Sequence, residues 1–171
     1  MVYRILGIGD QACTTAANFQ QEKNYSVDLV TDEILGQHAN MEAYEKRFTS
    51  KGVAKIFRKY RKADEVLMVI NGSSAASGAV LRIAEMIKKC SCSVLFLHPS
   101  QSWSTPEEIT NNKITFGVLQ EMTRSGLFDR LYAVSLEEME KHIDKVPLKE
   151  MESEINKKIY SLITMLIYMD H

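Results

Sequence analysis

The chain has 171 residues, 45% hydrophobic and 25% charged, the balance of one folded domain rather than a disordered tail. Its 21 basic and 22 acidic residues leave a net charge of -1, so whole-chain charge gives no reason to expect nucleic acid or an anionic membrane as partner. Cys13, Cys90 and Cys92 are odd in number and lack the two-residue spacing of a zinc knuckle or thioredoxin-type motif, so they read as reduced thiols.

The first apolar run, 3–8, opens without a cleavable leader pattern, and the longest apolar-rich stretch, 159–169, has about half the roughly 20 residues that a membrane-spanning helix requires. A cytoplasmic protein is expected, with no membrane partner. Strand-like runs rich in branched and aromatic residues follow at 26–30, 65–70, 93–97 and 130–134, with little of the alternation that marks a half-exposed strand. Helical segments separate them. Ala76, Ala79, Val80, Ile83, Ala84 and Ile87 share one stripe after the third strand. Pro147 suits the first turn of a last helix whose Leu148, Met151, Ile155, Ile159, Leu162, Ile163, Leu166 and Ile167 trace a broad buried face. This rhythm predicts an α/β fold over residues 1–171. It is a doubly wound, mainly parallel, Rossmann-like sheet with helices on both faces, the long C-terminal helix lying across it. In such sheets ligands bind beyond the carboxyl ends of the strands.

Two small-residue turns lie at those ends. The first strand runs into Gly7-Ile8-Gly9-Asp10-Gln11-Ala12-Cys13, and the third into Asn71-Gly72-Ser73-Ser74-Ala75-Ala76-Ser77-Gly78-Ala79, each opening a helix. Backbone N–H groups in such turns, together with the dipole of the helix, suit a phosphate. The alternative is a tight connection whose small residues let the helix pack close to the sheet. No lysine follows at the Walker A position, so a standard P-loop is excluded.

The second turn resembles the Gly-Gly-Gly-Thr-Gly-Ser-Gly signature of the tubulin/FtsZ superfamily, with Gly72, Ser77 and Gly78 at matching positions. Asp10-Gln11-Ala12-Cys13 is similar to the Gly-Gln-Ala/Cys-Gly of tubulins. Thr49-Ser50-Lys51-Gly52-Val53-Ala54-Lys55 is similar to the family's third phosphate-side loop. Phe116-Gly117-Val118-Leu119-Gln120-Glu121-Met122 and Leu131-Tyr132-Ala133-Val134 sit where the family has its fifth helix and sixth strand, and Ser135-Leu136-Glu137-Glu138-Met139-Glu140 stands where plasmid and phage members have Asp-Asn-Glu-Lys-Ile. Asn156 matches the asparagine with which the family's central helix contacts guanine. The resemblance runs in order along nearly the whole chain.

It implies a guanine nucleotide, GTP or GDP, with Mg as a companion ion. Gly9, Asp10, Gln11, Ala12, Cys13, Lys51, Gly52, Gly72, Ser73, Ser74, Ala75, Ala76, Ser77 and Gly78 would surround the phosphates, and Asn156 the base. Set against the family pattern, Ser73, Ser74, Ala75 and Ala76 replace residues that are glycine or threonine there, and they lack glycine's dihedral freedom. The family's acidic loop after the central helix and its second domain have no counterpart in this sequence. No catalytic residue is therefore expected. Hydrolysis would require a partner chain to supply that loop. Two readings stand side by side: a minimal guanine-nucleotide-binding module, and a degenerate, nucleotide-independent structural or assembly subunit, for example of a phage particle or plasmid system, with self-association or a protein partner in either. A dinucleotide-binding enzyme is a further alternative, although Asp32 and Glu33 come slightly late after the second strand to hold a ribose.

The remaining features are weaker. Lys46, Arg47, Lys51, Lys55, Arg58, Lys59, Arg61 and Lys62 make the segment 46–62 basic with no acidic residue, which fits either a phosphate attractor or a solvated helix face opposite Val53, Ile56, Phe57 and Tyr60. Nucleic acid is not expected apart from this segment. His38, His98, His142 and His171 show no metal-ligand spacing. Trp103, the single tryptophan, is placed either to cap the core, the commoner role in such a loop, or to stack on a base or a partner. Gly-x-Ser-x-Gly and His-Glu-x-x-His motifs are absent.

Overall fold

The computed structural model describes residues 2–169. Five parallel strands, β1 (Tyr3–Ile8), β2 (Tyr25–Val30), β3 (Glu65–Asn71), β4 (Ser91–His98) and β5 (Arg130–Ser135), form one sheet in the order β2-β1-β3-β4-β5. Each sequence-predicted strand is present; the first matches, β2, β3 and β5 are one residue longer, and β4 is longer by two residues at its start and one at its end. The chain moves outward from β1 to β2, then crosses back to β3. The direction of winding therefore reverses between β1 and β3, and the turns leaving those two strands lie side by side.

Alternate residues of the central strands feed two separate cores, because successive side chains of a strand point to opposite faces. One core joins Leu6, Met68, Ile70 and Phe96 to helices α4 (Ser50–Phe57), α5 (Val80–Ile87) and α6 (Pro106–Arg124) through Val53, Phe57, Ile83 and Leu119. The other joins Ile5, Leu67, Val69 and Leu95 to α1 (Asp10–Ala17) and α8 (Leu148–Met169) through Ala12, Ala16, Ile159 and Ile163. Ile159, Ile163 and Ile167, four residues apart, form the buried stripe of α8. Leu148 at its start is exposed.

The shorter helices follow local signals. Thr31 caps α2 (Asp32–Leu35) and Asn40 caps α3 (Met41–Lys46), each side chain accepting a hydrogen bond from a backbone N–H in the first turn. Thr105 and Glu108 close a capping box on α6 with Pro106 in its first turn. Ser135 caps α7 (Leu136–Lys141). The segment after β3 enters α5 through a 3-10 turn, Ala75–Ala79.

At the amino edge of the sheet, the Arg4 guanidinium is buried. Its Nε donates to Asp64 at 2.8 Å, Asp28 lies 3.7 Å away, and the Tyr60 ring lies 4.7 Å beneath it. The Asp64 carboxylate also accepts from the backbone N–H groups of Val2 and Arg61. This network holds β1, β2 and the loop before β3 together, far from the carboxyl ends where a ligand would sit. Among the described residues no helix is long and apolar enough to cross a membrane.

Candidate functional site

A cavity of about 440 Å³ opens at the carboxyl ends of β3 and β4, between α1 and α8, a size within the roughly 300–1,000 Å³ of small-molecule sites. Its floor is Leu97 and Ile159, and its polar groups include Gln11, Asn71 and Asn156. Asn156 is oriented by Thr15, whose hydroxyl donates to its Oδ1 at 3.3 Å. Glu152, one helical turn before Asn156, and Glu140 of α7 put carboxylates on the walls. Glu152 and Asn156 also line a neighbouring groove of about 650 Å³ along α8, which contains Lys149 and Lys157. Lys157 is already paired with Glu154 at 2.8 Å.

Trp103 does not cap the core. It ends a 3-10 turn after β4 (Gln101–Trp103), lines the cavity, and leaves 73% of its surface exposed. The turn is tied to α7 where the Gln101 N–H donates to Glu137 at 3.1 Å.

The two small-residue turns meet beside this cavity. Gly9, with φ +83°, presses against the second turn so closely that an added Cβ would lie 3.0 Å from both Ala76 Cβ and Ser74 Oγ. Gln11 Oε1 lies 3.3 Å from the Ser73 hydroxyl, whose shorter bond is the one it donates to Asn71 Oδ1 at 2.7 Å. Gly9, Asp10, Gln11, Gly72, Ser73, Ser74, Ala75 and Ala76 thus come together at the winding reversal. Ala12 and Cys13 lie beneath them, the Cys13 thiol donating to the Gly7 carbonyl at 3.4 Å.

Much of the second turn's hydrogen-bonding capacity is used internally. Gly72 N–H donates to the Leu97 carbonyl, Ser73 N–H to Asn71 Oδ1, Ser74 N–H to the Asn71 carbonyl, Ala76 N–H to Ser74 Oγ, and Ser77 N–H to the Ser74 carbonyl. Ser77 and Gly78 face away from the cavity. Ser77 Oγ lies 2.9 Å from Thr115 Oγ1 of α6, and Gly78 lies against the Met41 backbone of α3.

The local field is negative. The Asp32 N–H donates to Asp10 Oδ1 at 2.9 Å, which brings the two carboxylates together beside Gly9. Burial and then the Asp10 charge raise the Asp32 carboxyl above the usual range. Burial, helped by both carboxylates, pushes the Cys13 thiol up to about 12. Among the described residues no cluster of histidine, cysteine and carboxylate side chains could hold a metal ion.

The segment expected as a third phosphate-side loop is not a loop. Ser50 to Lys55 are the first residues of α4, so Lys51 is exposed on a helix and Gly52 sits against the Ile34 carbonyl, where an added Cβ would come within 2.8 Å. Ser50 faces a groove with Arg82 and Met86 on the side of the sheet opposite the cavity. In the basic segment 46–62, Val53, Phe57 and Tyr60 are buried while Lys51, Lys55, Arg58 and Lys59 are exposed, which is the solvated-face arrangement. Lys59 is engaged with buried Asp28.

No protein-family model and no curated protein sequence matches the chain. Solved structures do. A structure described as an empty FtsZ dimer from M. jannaschii superposes with a TM-score of 0.67 at 13% identity, over 91% of this chain and 51% of that one. The fold is tubulin/FtsZ-like. The chain spans about half the length of the FtsZ chain it matches, and at this identity the likeness establishes the architecture alone. Within that FtsZ-like architecture, Glu152 was missed in the sequence although it stands four residues before Asn156, a spacing that puts both on one helix face. Glu140 carried no signal of its own, and Trp103, which the sequence offered either to cap the core or to stack, meets it only through the tertiary fold.

Proposed function

We propose that this chain is a tubulin/FtsZ-like guanine-nucleotide-binding module that takes GTP or GDP in the cavity between α1 and α8. The observation that carries the reading is the convergence of Gln11, Asn71 and Asn156, from three separate elements, on one cavity at the winding reversal of a parallel sheet. With Asn156 Oδ1 accepting from Thr15, its NH2 end is the donor offered to an acceptor such as guanine O6. The test is to denature freshly purified protein, chromatograph the released small molecules, and follow the melting temperature of stripped protein against GTP, GDP and ATP. At a guanine nucleotide concentration 100 times Kd, binding stabilises by about 2.7 kcal/mol, a rise of about 5–11 °C for a chain of this size. Asn156→Ala should diminish that rise. No shift with any guanine nucleotide at millimolar concentration refutes the reading.

A specific observation favours the second reading, a nucleotide-independent structural or assembly subunit of phage-particle or plasmid type. Ser73, Ser74, Ala76 and Ser77 donate their N–H groups within the second turn, and Asp10 and Asp32 stand beside it. Self-association is part of both readings; the FtsZ structure matched is a dimer, and Met165, Tyr168 and Met169 expose apolar surface at the end of α8. Sedimentation at several concentrations, with and without GTP, separates the two: assembly that ignores GTP supports the structural subunit.

A further inference from the structure

We propose that the cavity recognises its ligand from the base end, by stacking on Trp103, and is indifferent to the number of phosphates. The inference rests on the guanine-binding reading and deepens it.

Three independent observations lead there. A phosphate-binding turn works by presenting unoccupied backbone N–H groups to the anion. Here those of Ser73, Ser74, Ala76 and Ser77 donate instead to Asn71 and Ser74 of the same turn. A phosphate displacing them would forfeit those bonds, so its net gain is small. The second observation is charge. Asp10 and Asp32 flank Gly9, and Glu140 and Glu152 are on the cavity wall, so each added phosphate meets more repulsion. The cavity lining contains no lysine or arginine.

The third is the indole. An exposed tryptophan over a mostly apolar floor of Leu97, Leu136 and Ile159 offers a flat face at the mouth of a cavity deep enough for a heterocycle. Base–aromatic stacking is substantial and needs no charge. The 3-10 turn carrying Trp103 is tied to α7 through Gln101 and Glu137, so the backbone that bears the indole is tethered before the ligand arrives.

The experiment is calorimetric titration of the full chain with guanosine, GMP, GDP and GTP in the presence of Mg2+, repeated on Trp103→Ala and Trp103→Phe. The four ligands should bind within about threefold of one another, with little dependence on salt. Trp103→Ala should weaken all four by about tenfold, the lower half of the range for a lost stack. Trp103→Phe, which keeps a stacking face, should remain within about threefold of the parent. Because Trp103 is exposed, both variants should melt within about 2 °C of the parent, and its fluorescence, that of the single tryptophan, should change on binding in the parent protein. Binding that tightens tenfold or more from guanosine to GTP overturns the inference while leaving the guanine reading intact. Unchanged affinity in Trp103→Ala overturns the stack. Failure of all four ligands removes the guanine reading itself.

Discussion

Gly78 and Gly117 offer the same substitution with opposite expected signs. Gly78 closes the second turn, and a Cβ there would stand 2.8 Å from the carbonyl carbon of Met41 and 3.0 Å from its Cα, with the carbonyl oxygen nearer still. Ordinary carbon contacts are about 3.5–4.0 Å, so the Met41 carbonyl carbon must retreat by about 0.7–1.2 Å. Met41 begins α3, whose cap is the Asn40 side chain accepting from Ala43 N–H at 2.9 Å, and whose Tyr44 is buried. The obstruction is therefore backbone tied into a helix end rather than a side chain that can swing aside. Overpacking of this kind costs about 1–3 kcal/mol, here at the upper end, and the reduced freedom of the unfolded chain returns about 0.4–1 kcal/mol. The net loss expected for Gly78→Ala is about 2 kcal/mol, a fall in Tm of about 4–8 °C. Gly117, inside α6, has nothing within 4 Å of an added Cβ. Gly117→Ala should gain about 1 kcal/mol from helix propensity and raise Tm by about 2–4 °C. Calorimetry and urea titration of the two variants measure both changes. A Gly78→Ala protein as stable as the parent would refute the close contact with α3, and with it the claim that this signature glycine is kept for packing.

Two further outcomes follow from buried ionisable groups. Asp64→Asn leaves the Arg4 charge short of its nearest partner, and breaking one side of a buried pair costs about 3–5 kcal/mol; since the asparagine oxygen still accepts from backbone, about 3 kcal/mol is expected, and a loss below about 1 kcal/mol would show the pair to be incidental. The double variant Arg4→Met/Asp64→Leu should recover much of that loss. Burial, opposed by its contact with Asn112, lowers the His98 pKa below the usual value. The folded state thus prefers neutral His98, and below about pH 6.5 the unfolded chain binds more protons. His98 therefore contributes its full stability above about pH 6.5 and loses it as pH falls toward the lowered folded value. The Tm of His98→Gln should fall less than that of the parent between pH 7 and 5, and parallel curves would contradict the shift.

The centre of the sheet was legible because β1, β3 and β4 are buried on both faces, whereas the edge strands β2 and β5 are largely half-buried. Runs such as Val66 to Ile70 need no partner information to be recognised. The long helix was legible from the four-residue spacing of Ile159, Ile163 and Ile167, and the two turns from their small residues. The segment 49–55 is a helix start rather than the loop that the resemblance implies, because its local pattern prevails. Val53 and Phe57 recur at helical spacing after Thr49 and Ser50, which suit a helix start, and they bury one face of α4. The cavity itself was only half legible. Gln11 and Asn156 came from motif matching and Glu152 follows from Asn156 by helical spacing, whereas Glu140, and the meeting of Trp103 with the rest, depend on the docking of α7 and α8 on the sheet, a tertiary event with no short-range signature.

The hydrogen bonds of the second turn also bear on how this chain can fold without a ligand. A turn of glycines leaves its N–H groups unsatisfied until an anion arrives, and burying such groups unpaired costs about 1–3 kcal/mol each. Here the Asn71 side chain accepts from Ser73 N–H and from the Ser73 hydroxyl, at 3.0 and 2.7 Å, and the Ser74 hydroxyl accepts from Ala76 N–H. Those two side chains occupy the electrostatic role that a phosphate oxygen would fill. Compared with a turn of glycines, Ser74 has less dihedral freedom and supplies one of these acceptors, while Asn71 supplies the other and takes the Ser73 hydroxyl as a further donor. On the proposed nucleotide-binding reading, this self-bonded turn goes with a weak hold on phosphate, and affinity would depend on the indole and amide side of the cavity.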